Sequence, residues 1–162
     1  MSEPVGQADL MDSLDTPVVA GSNADEQEDP VTTNLARVRL AEGPLVGPVL
    51  WRVLSMMLAR ADWPLNRLDD ALLMCDVLAE HTCTHTSDAG VTFSIEVGKH
   101  EAELRVLDLR EDGAQGLVQE ATLPLVGNVL ERIADRVSIE RGVDGVGSQL
   151  IIVLSARIPC RP

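Results

Sequence analysis

The residues best equipped for chemistry in this 162-residue chain fall in three places. Asp69, Asp76 and Glu80 stand at i, i+7 and i+11 in a stretch of helical periodicity, so the three carboxylates share one narrow stripe. Carboxylates set close together can divide the roles of general acid and base when their environments push their proton affinities apart. A solvated helix stripe is the plainer reading of the same spacing. One turn on, His81-Thr82-Cys83-Thr84-His85 places two imidazoles at i, i+4, close enough on a helix to share a metal ion. Cys83 then points elsewhere, leaving two ligands rather than three. Histidine at a helix C-terminus is electrostatically favourable without any metal. The third place is Asp108, followed by Asp112-Gly113-Ala114-Gln115-Gly116. Glycines there would let backbone amides approach an anion, or serve only as turn residues. The serines show no nucleophile elbow, and Cys75 lies on an apolar helix face and reads as core.

The elements that must position these groups follow from periodicity. Ala36, Val38 and Leu40 alternate with Arg37 and Arg39 as a half-buried strand. Pro48 suits the first turn of a helix carrying Leu50, Leu54, Met57 and Leu58 inward. A second helix is predicted over 65–84, largely buried, with Leu65, Leu68, Leu72, Cys75, Ala79 and Thr82 on one face. Strands are predicted over 91–97 and 102–108, joined by a turn at Gly98-Lys99-His100. Residues 110–116 read as a loop and 125–134 as a short helix. Val137 and Ile139 mark a strand, residues 142–147 a glycine-rich hairpin loop, and 150–156 a strand apolar on both faces. The order β-α-α-β-β-α-β-β predicts an α/β two-layer sandwich, a mixed β-sheet with three helices on one face.

Charge narrows the function classes. The chain carries 26 acids against 13 bases, a net charge of -13. That disfavours direct binding to a nucleic-acid backbone or an anionic membrane. Eight of the acids, and no Lys or Arg, lie in residues 1–36. Residues 1–35 are therefore expected to be a disordered acidic tail, 36–158 a folded domain and 159–162 a C-terminal tail. Within the tail, Asp9-Leu10-Met11-Asp12-Ser13-Leu14-Asp15 alternates acids with apolar residues, as a short docking helix would, although a solvated tail is the simpler reading. Three cysteines without framework spacing, no leader pattern and no apolar run of spanning length lead to the expectation of a cytoplasmic protein.

The order of elements and three patches together resemble the Bergerat-fold (GHKL) ATPases, and among them the small anti-sigma-factor kinases of the RsbW and SpoIIAB type. The resemblance covers residues 36–157. Its carriers are Leu68–His85, similar to a family helix reading E-x-x-x-N-x-x-x-H; Val129–Val137, similar to a helix ending in Ala-Asp-Arg before a strand; and the glycine-rich hairpin with the strand after it. The resemblance implies ATP and Mg²⁺ as cofactors. Two registers of the helix are open. In one, Asp76 takes the place of the catalytic glutamate, Glu80 that of the Mg²⁺-binding asparagine, and Thr84 that of the histidine. In the other, Val77 stands at the base, His81 at the asparagine and His85 at the matching histidine. Asp108 corresponds to the adenine-binding aspartate, with Asp112, Gly113 and Gly116 as an offset remnant of the glycine motif and Gly127 as the remainder of the second one. These departures imply a degenerate nucleotide site. The expected function is that of an RsbW-like regulator that binds a sigma factor or an anti-anti-sigma (STAS) protein, as a homodimer and without catalysis. An active ATP-dependent protein serine kinase of the same fold, and an unrelated α/β interaction domain, are the alternatives.

Overall fold

The computed structural model describes residues 33–157. Strands β1 (Asn34–Ala41), β2 (Gly90–Val97), β3 (Glu101–Leu109), β6 (Arg136–Arg141) and β7 (Ser148–Ser155) form one sheet in the order β1-β2-β3-β7-β6. Helices α1 (Val46–Arg60), α2 (Leu65–His85), α3 (Gly113–Glu120) and α4 (Val129–Ile133), with a two-stranded ribbon of β4 (Thr122–Leu123) and β5 (Gly127–Asn128), complete the fold. Every pairing in the sheet is antiparallel, where a mixed sheet was expected. Short hairpin turns join β2 to β3 and β6 to β7, and antiparallel strands need no crossover.

Register assigns the faces. Val38–Phe93–Val106–Leu150 and Ala36–Ile95–Leu104–Ile152 are rows of directly opposed residues, and all of them face the helices. Phe93, Ile95, Leu104 and Leu150 are fully buried there against Leu50, Leu54, Met74 and Leu78 of α1 and α2. Each such side chain contributes roughly 1.5–3 kcal/mol through burial. The opposite rows, Arg39–Thr92–Leu107 and Arg37–Ser94–Arg105–Ile151, form the outer face. Trp63, at the turn between α1 and α2, is buried and donates its indole N–H to the Gly98 carbonyl at 2.9 Å.

Several expectations shift. The first strand begins at Asn34, two residues before Ala36. The expected 1–35 tail otherwise lies outside the described residues, as do the 9–15 docking helix and the 159–162 tail. Among the described residues four helices form rather than three, because α3 begins at Gly113, inside the loop expected over 110–116, and runs on to Glu120. Gly113 and Gly116 read as loop signals, yet Gly113, Ala114 and Leu117 are the residues that α3 buries. The helix expected over 125–134 shrinks to α4. Gly127 turns the ribbon at φ 83°, and the Asn128 side chain caps α4 by accepting from the Glu131 N–H at 3.2 Å. On α2 the buried residues are Arg67, Ala71, Met74, Cys75, Val77, Leu78 and Thr82; Leu65 is 81% exposed, and Leu72 and Leu73 also face out. The helix is therefore half exposed rather than largely buried. Among the described residues no helix is long and apolar enough to cross a membrane.

Candidate functional site

Helix α2 carries two of the three chemical clusters, and its two faces separate them. The inner face is committed to packing. Met74, Cys75, Leu78 and Thr82 fill the space above the sheet, and the Thr82 hydroxyl donates back to the Leu78 carbonyl. Burial, aided by the neighbouring Asp76 charge, pushes the Cys75 thiol up to about 12 and keeps it neutral. Asp76 and Glu80 lie on the outer face beside Asp69, Leu72 and Leu73, all exposed. Two surface clefts among the described residues are lined without any residue of α2.

The last turn of α2 is where sequence-predicted residues do meet. His85 lies against Gly116 of α3 so closely that a Cβ at Gly116 would stand 2.4 Å from the imidazole Cε1. A Cβ at Gly113 would stand 2.6 Å from the His85 carbonyl oxygen. The glycines thus let α3 seat on the end of α2. Backbone bonds hold this junction: Arg110 N–H donates to the His85 carbonyl at 2.9 Å, and Ala114 N–H to the Ser148 hydroxyl at 3.0 Å. The Ser148 hydroxyl in turn donates to the Arg110 carbonyl at 2.7 Å. Asp112 is exposed at the N-cap of α3, and its side chain makes no capping bond.

Glu120, at the end of α3, closes the junction and was not singled out from sequence. Its Oε2 is 2.9 Å from His85 Nε2 and 3.4 Å from His81 Nδ1, and Glu80 approaches His81 Nε2 at 3.9 Å. The His85 contact has ion-pair length, but Nε2 is not aligned for a hydrogen bond and is shielded from solvent. Polar contact with His85, reinforced by the charges of both imidazoles, holds the Glu120 carboxyl below its ordinary value. Glu120 reaches the histidines because 113–120 is helical, and with 110–116 read as a loop the sequence offers no such signal. Among the described residues no group of three or more His, Cys, Asp or Glu side chains is arranged to hold a metal ion.

Asp108 is elsewhere. A register shift between Val106 and Leu109 makes it the extra residue of a bulge, at φ 61°. Its carbonyl accepts from both Ser87 N–H and the Ser87 hydroxyl, at 3.0 and 2.9 Å. Its carboxylate pairs with Arg39, an outer-face residue, at 3.6 Å; Arg39 also reaches Asp88 at 3.3 Å. Gly127 sits in the β4–β5 ribbon with open space around it. The structure therefore brings together His81, His85, Gly113 and Gly116, with Glu120 added. It leaves Asp76 and Glu80 on the outside of α2, Asp108 beside Arg39, and Gly127 at the ribbon. No family model matches the chain, and no curated protein matches it in sequence.

A second residue missed from sequence is Arg67, only 4% exposed on the inner side of α2. It donates to the Ser155 carbonyl at 2.7 Å, the Ile133 carbonyl at 3.3 Å, Asp70 at 2.7 Å and Asp135 at 2.5 Å. Asp135 also accepts from the Ser155 N–H at 2.7 Å. An arginine near the start of a helix gives no sign of burial in the sequence; acceptors on α2 itself, at 133–135 and at Ser155 supply the reason. Its role is to fix α2 on the sheet.

Proposed function

We propose that this chain is a regulator that works by binding another protein, in the manner of the RsbW-like anti-sigma factors, and that its nucleotide site is degenerate. The observation that carries the reading is the outer face of α2. There Leu65, Leu72 and Leu73 are exposed among Asp69, Asp76 and Glu80, on a helix whose other face is core. Clustered exposed leucines favour a protein contact. Acids between them favour a partner surface that is basic and apolar, through charge complementarity. A sigma factor or a STAS-domain antagonist is the partner class of this reading.

Two features support the degenerate site. The acids that would serve as base and metal ligand, Asp76 and Glu80, face solvent and not the sheet. The glycines that would cradle phosphate, Gly113 and Gly116, are taken up by His85. These residues do not fit Mg-ATP between α2 and the sheet, and no step of the proposed function passes through it. The order of the longer elements, with two helices between the first and second strands and a closing β6–β7 hairpin, supports the likeness to the Bergerat fold.

The test is calorimetric titration of the full chain with the sigma factors and STAS proteins of its own genome. Binding is expected with one of them and is expected to fall at least tenfold in Leu72→Asp/Leu73→Asp, about 1.4 kcal/mol. Failure of every such protein to bind overturns the partner class. A parallel titration with Mg-ATP and Mg-ADP addresses the site. Micromolar binding that disappears in Asp108→Ala would overturn the degenerate-site reading in favour of an active serine kinase.

A further inference from the structure

We propose that the free edge of β6 is the contact surface for a second copy of this chain. Two β6 strands pair antiparallel about a two-fold axis at Ser138 and join two five-stranded sheets into one continuous sheet.

The edge is open. In the order β1-β2-β3-β7-β6, β6 is bonded to β7 on one side, and among the described residues no strand pairs with its other side. A groove of about 440 Å³ lies along it, lined by Arg136, Val137, Ser138 and Ile139 of the strand and by Val118 and Glu131 of α3 and α4. Register shows which backbone groups reach out. Arg136–Arg141 lie opposite Val153 back to Ser148, and the Gly142 N–H donates to the Gly147 carbonyl at 3.2 Å where the hairpin closes. Bonds to one neighbour recur at every second residue of an antiparallel strand. Counting back from Gly142, residues 140, 138 and 136 bond to β7, and the N–H and C=O groups of Val137 and Ile139 point to the free edge. Such a row is a template for another strand, commonly blunted by lysine or proline. β6 contains neither.

The sequence of this edge is complementary to itself. A two-fold contact sets residue i against j and j against i. With the axis at Ser138, Arg136 stands opposite Glu140 of the second copy, Val137 opposite its Ile139, and Ser138 opposite its Ser138. Arg136, Ser138 and Glu140 share the outer face with Val153, Ile151 and Gln149, so the ion pairs form there. Val137 and Ile139 share the inner face with Ile152 and Leu150, so the apolar pairs carry the core rows across the axis. In the single chain Ile139 is 43% exposed at the end of its row. Arg136 and Glu140 are exposed, and among the described residues neither has an oppositely charged group at ion-pair distance. Moving the axis to Val137 or Ile139 shifts the opposed residues by two and loses both ion pairs. The other edge of the sheet behaves differently. On β1 an axis at Arg37, Val38 or Arg39 sets arginine against arginine, and like charges directly opposite destabilise a strand pair. The second copy therefore joins at β6. The contact uses no residue of α2 and leaves the proposed docking face free.

The experiment is sedimentation equilibrium of the full chain from about 1 µM to about 1 mM. The expected result is a reversible monomer–dimer equilibrium. Arg136→Glu and Glu140→Arg each set like charges opposite one another twice, and each is expected to raise the dissociation constant about tenfold or more. Both positions are exposed, so circular dichroism should show the fold unchanged. An equimolar mixture of the two single variants is expected to associate as the unchanged chain does, because every opposed charge pair is again of opposite sign. The double variant Arg136→Glu/Glu140→Arg is expected to do so alone, for the same reason. A chain that stays monomeric over the whole range would overturn the proposal. So would a dimer indifferent to the single variants, or one that neither the mixture nor the double variant restores.

Discussion

Replacing Arg67 by methionine tests the packing argument most directly. The side chain is 5% exposed, and its guanidinium reaches two carboxylates, Asp70 and Asp135, and two carbonyls, those of Ile133 and Ser155. Methionine keeps much of the volume and removes every one of these donors. Breaking a buried ion pair by deleting one partner costs about 3–5 kcal/mol, because the other charge stays behind. Here Asp135 and Asp70 are 28% and 35% exposed, so water relieves part of that penalty. The lower end, about 3 kcal/mol, is the expected loss. For a domain of this size it corresponds to a fall in Tm of about 10 °C. Thermal and urea unfolding followed by circular dichroism would measure it. Asp135→Asn supplies the second edge of a double-mutant cycle. The two changes act on one network, so the double variant should lose clearly less than the sum of the singles, by about 1–3 kcal/mol. A loss below about 0.5 kcal/mol in Arg67→Met, the size of an ordinary surface substitution, would refute the claim that this arginine anchors α2 to the sheet and to α4.

Three further outcomes follow from the same geometry. The Glu120 carboxyl is held below its ordinary value by His85 and His81, so its contribution to stability is present above about pH 4.5 and is lost as pH falls through the lower folded value; Glu120→Gln should flatten that acid limb in a Tm-against-pH series, and an unchanged limb would count against the contact. Cys75, with its thiol pushed up to about 12, is about one part in ten thousand thiolate at pH 8 and should escape alkylation in the native protein, reacting only in denaturant when its peptide is followed by mass spectrometry. Gly147→Ala places a Cβ 2.3 Å from the Leu109 carbonyl oxygen at φ 71° and should destabilise by about 1–3 kcal/mol in urea unfolding; a neutral result would mean the hairpin loop moves freely off β3.

The sequence by itself determined the elements whose pattern is local. The alternating strands β1, β2 and β3, the continuously apolar β7, the first two helices and the glycine-rich hairpin are all where the apolar pattern and turn chemistry put them. It also placed Cys75 in the core and separated the acidic first 36 residues from the rest. It misjudged α2, because leucines at 65, 68 and 72 make as good an apolar stripe as the one that is buried; only the sheet below chooses between two such stripes. It missed α3, because Gly113 and Gly116 weaken a helix in isolation and become an advantage only when His85 packs against them. Tertiary structure alone decided the rest. Glu120 meets His81 and His85, and Arg67 meets Ile133, Asp135 and Ser155, because each of these contacts joins segments 30 or more residues apart in sequence. Asp108 ends up apart from Asp76 and Glu80 for the same reason. Spacing along a helix fixes that Asp76 and Glu80 share a face, and only packing decides that this face looks outward while Asp108 is held by Arg39.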